Sequence, residues 1–419
     1  MEIILVYYCQ VIFLSFIVIN HLGEIYLTQR QLNALNNGRD KVPVEFETVL
    51  SLSDHQKAIE YGSARLHLSQ AQLIWNAVLL FYWFPFRGLE KLYLAVPGIN
   101  LHREVVFLVS LMAIQMILNL PWSVYSTFVL EEKFGFNRTT WKLFILDRVK
   151  GVILGALIGV PLLYAVMIFF EAFPNTWWLA SFLLLTFFQF AMVWIYPTWI
   201  APLFNKFRPL EEVELKTGIE NLVTNAGFVA KEVYVMDASR RSSHGNAYFT
   251  GFGKSKRIVF FDTLLGTLNA KEVFAILAHE LGHLKLKHIP KSLAAGVIMS
   301  FIGFALMGYL GQKQEFYAGH FLRMNSPGAL LILFSMAMPL YTFWFTPLSS
   351  WVSRKREFEA DAYAAQETGA EGLISGLLKL YKENASPVIT DNIYSAFYHS
   401  HPPALERVKK LKSLERQPS

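Results

Sequence analysis

The segment HELGH, residues 279–283, has the residue types and spacing of a zinc-binding peptidase helix. His279 and His283 are four residues apart, so a helix places both imidazoles on one face, where they can bind zinc. Glu280 projects about 100° away from His279 and can take a proton from a water that attacks a polarised carbonyl. His288 lies about 140° beyond His283, which favours a place outside the ligand group. The alternative is a pair of surface histidines on an amphipathic helix.

A catalytic zinc site needs a third protein ligand, and the sequence offers one after the apolar segments. A third histidine at HExxHxxGxxH spacing is excluded, because position 289 is Ile. In the segment EFEAD, Glu357 and Asp361 lie four residues apart, which puts them on one helical face. Glu357 could bind the metal while Asp361 hydrogen-bonds to a ligand histidine. Taken alone, the adjacent basic residues 354–356 are also typical of a solvated charged face.

Two other stretches carry polar side chains that could act on a substrate. Residues 241–248, RSSHGNAY, come before the HELGH helix, and an exposed strand edge there could pair with an extended peptide. Residues 399–407, HSHPPALER, set a histidine and an arginine near a helix that begins after two prolines. These two side chains could stabilise an oxyanion. Spacing alone favours ordinary turn and helix-start roles for both stretches.

The region that must position HELGH reads as a small α/β subdomain over residues 199–291. An amphipathic helix is predicted over 210–226, with apolar residues at helical spacing. Asn269 and Glu272 form a capping-box pattern at the start of the HELGH helix, and Pro290 is expected to limit its end. Three strands are predicted at 233–236, 246–252 and 258–261, with Gly251 and Gly253 in the turn between the last two.

The composition indicates a membrane protein. Of 419 residues, 53% are hydrophobic and 17% charged, and the mean hydropathy is +0.34. Soluble domains carry about 25% charged residues. The single cysteine, Cys9, excludes an intramolecular disulfide and a multi-cysteine metal site. The net charge of +6 is modest, and we interpret it as membrane topology rather than as binding to nucleic acid.

Seven segments are apolar and long enough to span a bilayer, which takes about 20 residues. The second contains Arg87 and Lys91, so one end of it could be interfacial. The first lacks a basic n-region and a clear cleavage site, so we expect a retained helix rather than a signal peptide. The segments are 3–20, 72–96, 104–127, 152–172, 177–198, 292–312 and 328–348.

The Lys and Arg residues predict which side the polar segments occupy. If the seven spans alternate, four segments share one side and carry most of the basic residues, which places that side in the cytosol. The sequon at Asn137 and the one at Asn384 would then face the cytosol and stay unmodified. The four segments are 21–71, 128–151, 199–291 and 349–419.

Taken together, these motifs resemble those of the type I CAAX prenyl proteases, a family of integral-membrane zinc gluzincins. The resemblance rests on HELGH, on EFEAD at 357–361, on HGNAYFTGF at 244–252, on SHPPALER at 400–407 and on EKFGFN at 132–137. It covers essentially the whole chain, and the combined motifs are far more specific than HExxH alone.

The resemblance implies a role for each matching residue. One zinc ion per chain would be bound by His279, His283 and Glu357, with Glu280 as general base and Asp361 behind the ligands. Substrate backbone would bind an edge strand containing Asn246, Ala247 and Tyr248. His401 and Arg407 would stabilise the transition state or fix the substrate.

The resemblance also implies the fold and the reaction. We expect a mainly α polytopic membrane protein with about seven transmembrane helices around a water-filled chamber, plus a small cytosolic zinc-protease domain with a short sheet. Residues 1–198 would hold spans one to five, 199–291 the protease subdomain, 292–348 spans six and seven, and 349–419 cytosolic helices with the third ligand.

Such enzymes remove the last three residues of prenylated CAAX proteins. They act in the endoplasmic reticulum membrane, and some also in the inner nuclear membrane, with the active site reached from the cytosol. The expected partners are therefore prenylated proteins and membrane lipid. Two alternatives remain open: a quality-control protease of membrane proteins, and a non-catalytic zinc-binding scaffold or transporter. The former typically carries fewer spans, and the latter would not require Glu280.

Overall fold

Long helices form most of the chain in a computed structural model, which describes residues 2–250 and 255–415. Local sequence sets where several of them begin. Ser51 accepts a hydrogen bond from Asp54 N at the start of the second helix, and Thr140 accepts one from Leu143 N at the start of the sixth. The helices before the sheet are α1 (Glu2–Asn37), α2 (Leu52–Trp83), α3 (Gly88–Ala95), α4 (Asn100–Tyr125), α5 (Glu132–Phe134), α6 (Trp141–Ala172), α7 (Trp177–Ile195) and α8 (Ala201–Phe204).

The remaining helices are interleaved with a four-stranded sheet. The strands are β1 (Phe207–Pro209), β2 (Val229–Met236), β3 (Ala247–Thr250) and β4 (Ser255–Phe261). The helices are α9 (Val213–Asn225), α10 (Asp262–Thr267), α11 (Ala270–Lys285), α12 (His288–Leu310), α13 (Gln314–Gly319), α14 (Pro327–Thr342), α15 (Thr346–Thr368), α16 (Ala370–Glu383), α17 (Asn392–Tyr398) and α18 (Ala404–Glu415).

Six helices in the described part of the chain are long and apolar enough to cross a membrane. They contain five of the seven predicted spans, overlap a sixth, 292–312, as far as Leu310, and mostly extend beyond them into the polar segments. They run over Ile3–Asn37, Asn100–Phe134, Trp141–Ala172, Trp177–Phe204, His288–Leu310 and Pro327–Thr368.

The predicted span 72–96 is not one continuous helix, because the chain breaks there into α2 and α3. α2 ends at Trp83, and Arg87 adopts a left-handed backbone with φ of 60° just before α3 begins. The Arg87 guanidinium is paired with the buried carboxylate of Glu90, whose other oxygen accepts a hydrogen bond from Arg323 N. This ion pair fixes the corner and explains why the apolar segment does not continue as one helix.

A second buried carboxylate, Glu104 on α4, joins α3 to the start of α14. It accepts hydrogen bonds from Tyr93 OH, Ser326 Oγ and Gly328 N, and its side chain lies among buried apolar residues. Because Ser326 caps α14, the carboxylate also lies at the positive end of that helix dipole. This cluster stabilises the membrane part at the end remote from HELGH.

The sheet has the order β1-β2-β4-β3, so β3 is an edge strand. β2 and β4 are parallel, and β3 pairs with β4 in antiparallel register, with Ala247 opposite Phe260. The three predicted strands are confirmed where the structure describes them. Gly251 and Gly253, predicted for the turn, lie outside the described residues.

The HELGH helix α11 begins as predicted. Asn269 accepts a hydrogen bond from Glu272 N, and Glu272 accepts one from Asn269 N, which completes the capping box. The end differs, because α11 stops at Lys285 rather than at Pro290. Pro290 instead lies in the first turn of α12, where its missing N–H costs no hydrogen bond. The predicted amphipathic helix is α9, whose Leu215 is buried against the sheet.

The four polar segments predicted to share one side of the membrane do meet in space. An apolar cluster joins residues 42–50 to α11, α16 and α18. The loop after α5 pairs with the protease subdomain, because Arg138 N donates to Arg241 O and Asn137 bridges to Ser242. The HELGH helix therefore packs against residues 42–50 and the C-terminal helices, while segment 128–151 contacts the protease subdomain before β3.

Candidate metal centre

Close packing of α11 against α15 brings the two motifs together. A Cβ atom added at Gly282 would lie 3.0 Å from the Ala360 Cα atom, so only glycine permits this approach. Ala278 and Leu281 of α11 are fully buried beside it, and burial of a leucine side chain stabilises the fold by about 1.5–3 kcal/mol. The contact places Glu357 of α15 opposite the two histidines of α11.

Three candidate metal ligands converge at this crossing. His279 Nε2 lies 3.3 Å from His283 Nε2, and the carboxylate of Glu357 lies 3.4 Å from the first nitrogen and 3.3 Å from the second. In the described part of the chain, these three residues are the cluster of His and acidic side chains whose ligand atoms lie close enough together to bind one metal ion.

This arrangement fits zinc. Tetrahedral ligands at about 2.0–2.1 Å from the ion would lie about 3.3–3.4 Å from one another, which matches the spacing of the three side chains. The Glu357 Oε2 atom is buried and has no hydrogen-bond partner among the described residues. A buried carboxylate oxygen without a partner is costly, and a bound cation would satisfy it.

Asp361 fixes the orientation of His279. Its Oδ1 atom lies 2.8 Å from His279 Nδ1, and the guanidinium of Arg407 donates to both carboxylate oxygens, at 2.6 and 2.9 Å. A proton on Nδ1 leaves Nε2 free as a ligand. Burial lowers the pKa of His279, but hydrogen bonds to the carboxylates of Asp361 and Glu357 outweigh burial. The net effect raises the pKa of His279 to about 9. The carboxylates around this ring therefore favour a positive charge beside them, as a bound cation would supply.

His283 is oriented by a second chain of hydrogen bonds. Its Nδ1 atom lies 3.0 Å from His288 Nδ1, and His288 Nε2 lies 3.0 Å from Glu359 Oε2. Lys287 adopts a left-handed backbone with φ of 57°, and this turn folds the buried His288 back onto α11. His288 is thus outside the candidate ligand group, in the position expected from the sequence.

Glu280 and His401 lie beside the three candidate ligands. Glu280 is half-buried on α11, next to His279. The His401 side chain is 63% exposed, and its Nε2 atom lies 3.4 Å from Glu357 Oε1. Arg407, expected to stabilise the transition state or fix the substrate, is buried, and its guanidinium is paired with Asp361.

The predicted substrate strand lies at the edge of the sheet. Asn246 is exposed; its carbonyl accepts a hydrogen bond from Phe261 N, and its side chain accepts one from Ala247 N. Ala247 and Tyr248 begin β3 and are half-buried. None of the contacts in the described chain joins these three residues directly to the candidate metal ligands.

One polar cluster was not anticipated from the sequence. Asn384, at the end of α16, accepts a hydrogen bond from Gly245 N, and its side-chain oxygen lies 3.1 Å from His244 Nδ1. His244 Nε2 lies 3.6 Å from the carboxylate of Glu131, to which Tyr61 OH donates. These residues come from four distant parts of the chain, so spacing in the sequence gives no signal of the cluster.

Comparisons with known proteins agree with this fold and site. Residues 31–206 match a family described as "CAAX prenyl protease N-terminal, five membrane helices", and residues 209–415 match "Peptidase family M48". A solved structure, "Crystal Structure of S. mikatae Ste24p", superposes with a TM-score of 0.89 at 33% identity, covering 96% of this chain and 98% of that one.

Curated relatives match along almost their whole length. "CAAX prenyl protease 1" of Saccharomyces cerevisiae is 34% identical, covering 93% of this chain and 92% of the relative. A homologue from Arabidopsis thaliana is 35% identical, with 95% and 96% coverage, and one from Homo sapiens is 33% identical, with 94% and 93% coverage.

The helices, the motifs and these matches define a multi-pass membrane metalloprotease. Within that class, the chain belongs to the type I CAAX prenyl protease family.

Proposed function

We propose that this protein is a zinc-dependent endopeptidase that removes the C-terminal three residues from prenylated CAAX proteins. The names of its relatives support the substrate class. The observation that carries the proposal is the triangle of His279, His283 and Glu357, whose edges suit tetrahedral zinc. Glu280 beside that triangle supplies the base that a structural zinc site would not need.

The residues of the chain have distinct tasks in the proposed reaction. Zinc, when bound, supplies the Lewis acidity that polarises the scissile carbonyl and activates water. Glu280 takes the proton of the attacking water and passes it to the leaving amide nitrogen. The exposed imidazole of His401 donates a hydrogen bond to the developing oxyanion. Asp361 keeps His279 in its metal-binding tautomer, and Arg407 acts through Asp361.

We assign substrate positioning to the edge strand β3. An extended peptide added along Asn246, Ala247 and Tyr248 would gain main-chain hydrogen bonds without constraint on its side chains. The isoprenoid would remain in the apolar membrane part, in contact with lipid or in the expected chamber, while the peptide enters the polar site. This division suits a substrate with one apolar and one polar end.

We further propose that the polar side of the molecule faces the cytosol and that the enzyme resides in the endoplasmic reticulum membrane. The four joined segments carry most of the Lys and Arg residues, as cytosolic segments do. Some members of the family are also expected in the inner nuclear membrane.

Hydrolysis of a farnesylated CAAX peptide by the purified full chain tests the proposal. We expect mass spectrometry to detect a product shortened by three residues, loss of activity with a chelator, and recovery on addition of zinc. Cleavage of unprenylated membrane proteins without cleavage of the peptide would favour the quality-control alternative. Bound zinc with no hydrolysis of either substrate would favour a scaffold.

A further inference from the structure

A polar cavity of about 320 Å³ lies between α1, α2 and the segment before His401. Its apolar lining residues are Leu35, Leu66 and Pro387. Its polar lining includes Arg65, Ser69, Thr390, Tyr394 and His399, but no Asp or Glu. A small cavity with a cationic group and neutral donors is suited to a compact anion.

One wall of this cavity is joined to the candidate metal centre. His399 lies two residues before His401, whose ring approaches the ligand Glu357 within 3.4 Å. Arg354, one turn before Glu357 on α15, donates hydrogen bonds of 3.0 Å to the carbonyls of Ser395 and His399. The helix that carries the third ligand therefore also fixes the position of the cavity wall.

The opposite wall leads to the predicted substrate strand. The Arg65 guanidinium carbon lies 5.5 Å from the ring centre of Tyr61. Tyr61 in turn is stacked near His244, with ring centres 6.5 Å apart and planes at 28°. His244 comes three residues before β3. Arg65 is thus connected through Tyr61 and His244 to the segment before the edge strand, and it shares the cavity with His399, two residues before His401.

The Arg65 guanidinium contacts the Tyr61 ring but has no carboxylate at salt-bridge distance in the described chain. The residue is exposed. The nearby carboxylate of Glu131 is already engaged by Tyr61 and His244. A guanidinium fork binds a carboxylate through two parallel hydrogen bonds, so the cavity presents a ready partner for such a group.

We propose that Arg65 binds the C-terminal carboxylate of the substrate. This inference rests on the proposed function, because only a CAAX substrate places a chain end three residues beyond the scissile bond. An extended tripeptide reaches about 10 Å, at roughly 3.3–3.6 Å per residue. The Cα atoms of His399 and His401 are at most about 7 Å apart, so the His399 wall of the cavity is within reach of such a tripeptide from His401. A clamp on the chain end makes the enzyme cut at a fixed distance from it.

Two prenylated peptides test the proposal, identical except that one ends in a free carboxylate and the other in an amide. We expect the wild-type kcat/KM to be about 10- to 100-fold higher for the acid, the range expected for a charge-assisted pair. Arg65→Gln should reduce kcat/KM for the acid to the amide value and leave the amide unchanged. Arg65→Lys should restore part of the preference, because it keeps the charge but not the fork.

Arg39→Gln is the matched control, since it removes a positive charge from the same corner, where Arg39 pairs with Glu60. We expect it to keep the wild-type preference. Zinc content and thermal midpoint identify any variant that fails to fold, and the acid-to-amide comparison in wild type does not depend on any variant. Equal cleavage of both peptides by wild type, or an equal loss on both in Arg65→Gln, overturns the carboxylate site alone. Cleavage of neither peptide by wild type overturns the proposed function as well.

Discussion

Replacement of Asp361 by alanine is expected to damage stability and metal affinity through two separable contacts. The Asp361 side chain is 1% exposed and the Arg407 side chain 7% exposed. One carboxylate oxygen orients His279, and both accept hydrogen bonds from Arg407. Asp361→Ala therefore leaves a buried guanidinium without its counter-ion and a candidate ligand without its acceptor.

The magnitudes follow from these two losses. An unpaired buried charge costs about 3–5 kcal/mol in the free energy of unfolding. Loss of the acceptor behind a ligand histidine lowers metal affinity about 10- to 100-fold, which corresponds to about 1.4–2.7 kcal/mol. Asp361→Ala with Arg407→Leu should recover most of the first loss, because an apolar replacement of a buried pair is nearly neutral. The double variant should recover none of the lost metal affinity, because His279 still lacks its acceptor.

Thermal unfolding of the purified chain and zinc competition against a chelator measure the two effects independently. Glu104→Ala is the control, because it removes a buried carboxylate remote from the metal centre. We expect it to lower stability and leave zinc affinity unchanged. Wild-type zinc affinity in Asp361→Ala would refute the role assigned to Asp361, and full recovery of affinity in the double variant would show that folding alone was affected.

Three further predictions concern neighbours of the site. His288→Leu removes the acceptor of His283 Nδ1 and should weaken zinc binding about 10- to 100-fold in the chelator assay; unchanged affinity would exclude an orienting role. Gly282→Ala should cost about 1–3 kcal/mol in thermal unfolding, since its Cβ would collide with Ala360; wild-type stability would contradict the packing. Burial raises the pKa of Glu272, but hydrogen bonds from Lys379 and Ser375 outweigh it and lower the pKa below 4.5, so stability from this group is lost as pH falls below about 4.5. Unfolding midpoints measured against pH should show that Glu272→Gln lacks this loss of stability at low pH. The same loss of stability at low pH in the variant as in wild type would refute the role of Glu272.

Features set by short-range spacing could be predicted from the sequence. The separation of His279 and His283 on a helix, the Asn269 cap and the apolar spans each depend on neighbours within a few residues. The pairing of Glu357 with the histidines was only one of two interpretations of a charged segment, because the contact joins positions 74 or more residues apart. The family resemblance, rather than spacing, selected it.

Features made by distant partners could not be predicted in this way. The buried pair of Asp361 and Arg407 is one such contact, because nothing in the sequence indicates that these residues, 46 positions apart, meet. The break at Arg87 depends on Glu90 and on Arg323, more than 200 residues away. Arg65 has no motif around it, and the cavity that it shares with His399 forms only when α2 packs against the segment before His401.

The most direct test of the proposed catalysis is Glu280→Gln, measured for both zinc content and hydrolysis of a prenylated CAAX peptide. Glu280 is not among the three converging candidate ligands, so the variant should keep one zinc per chain and the wild-type unfolding midpoint. Loss of the general base should lower kcat by about 10²- to 10⁴-fold. Unchanged hydrolysis with zinc still bound would contradict the mechanism.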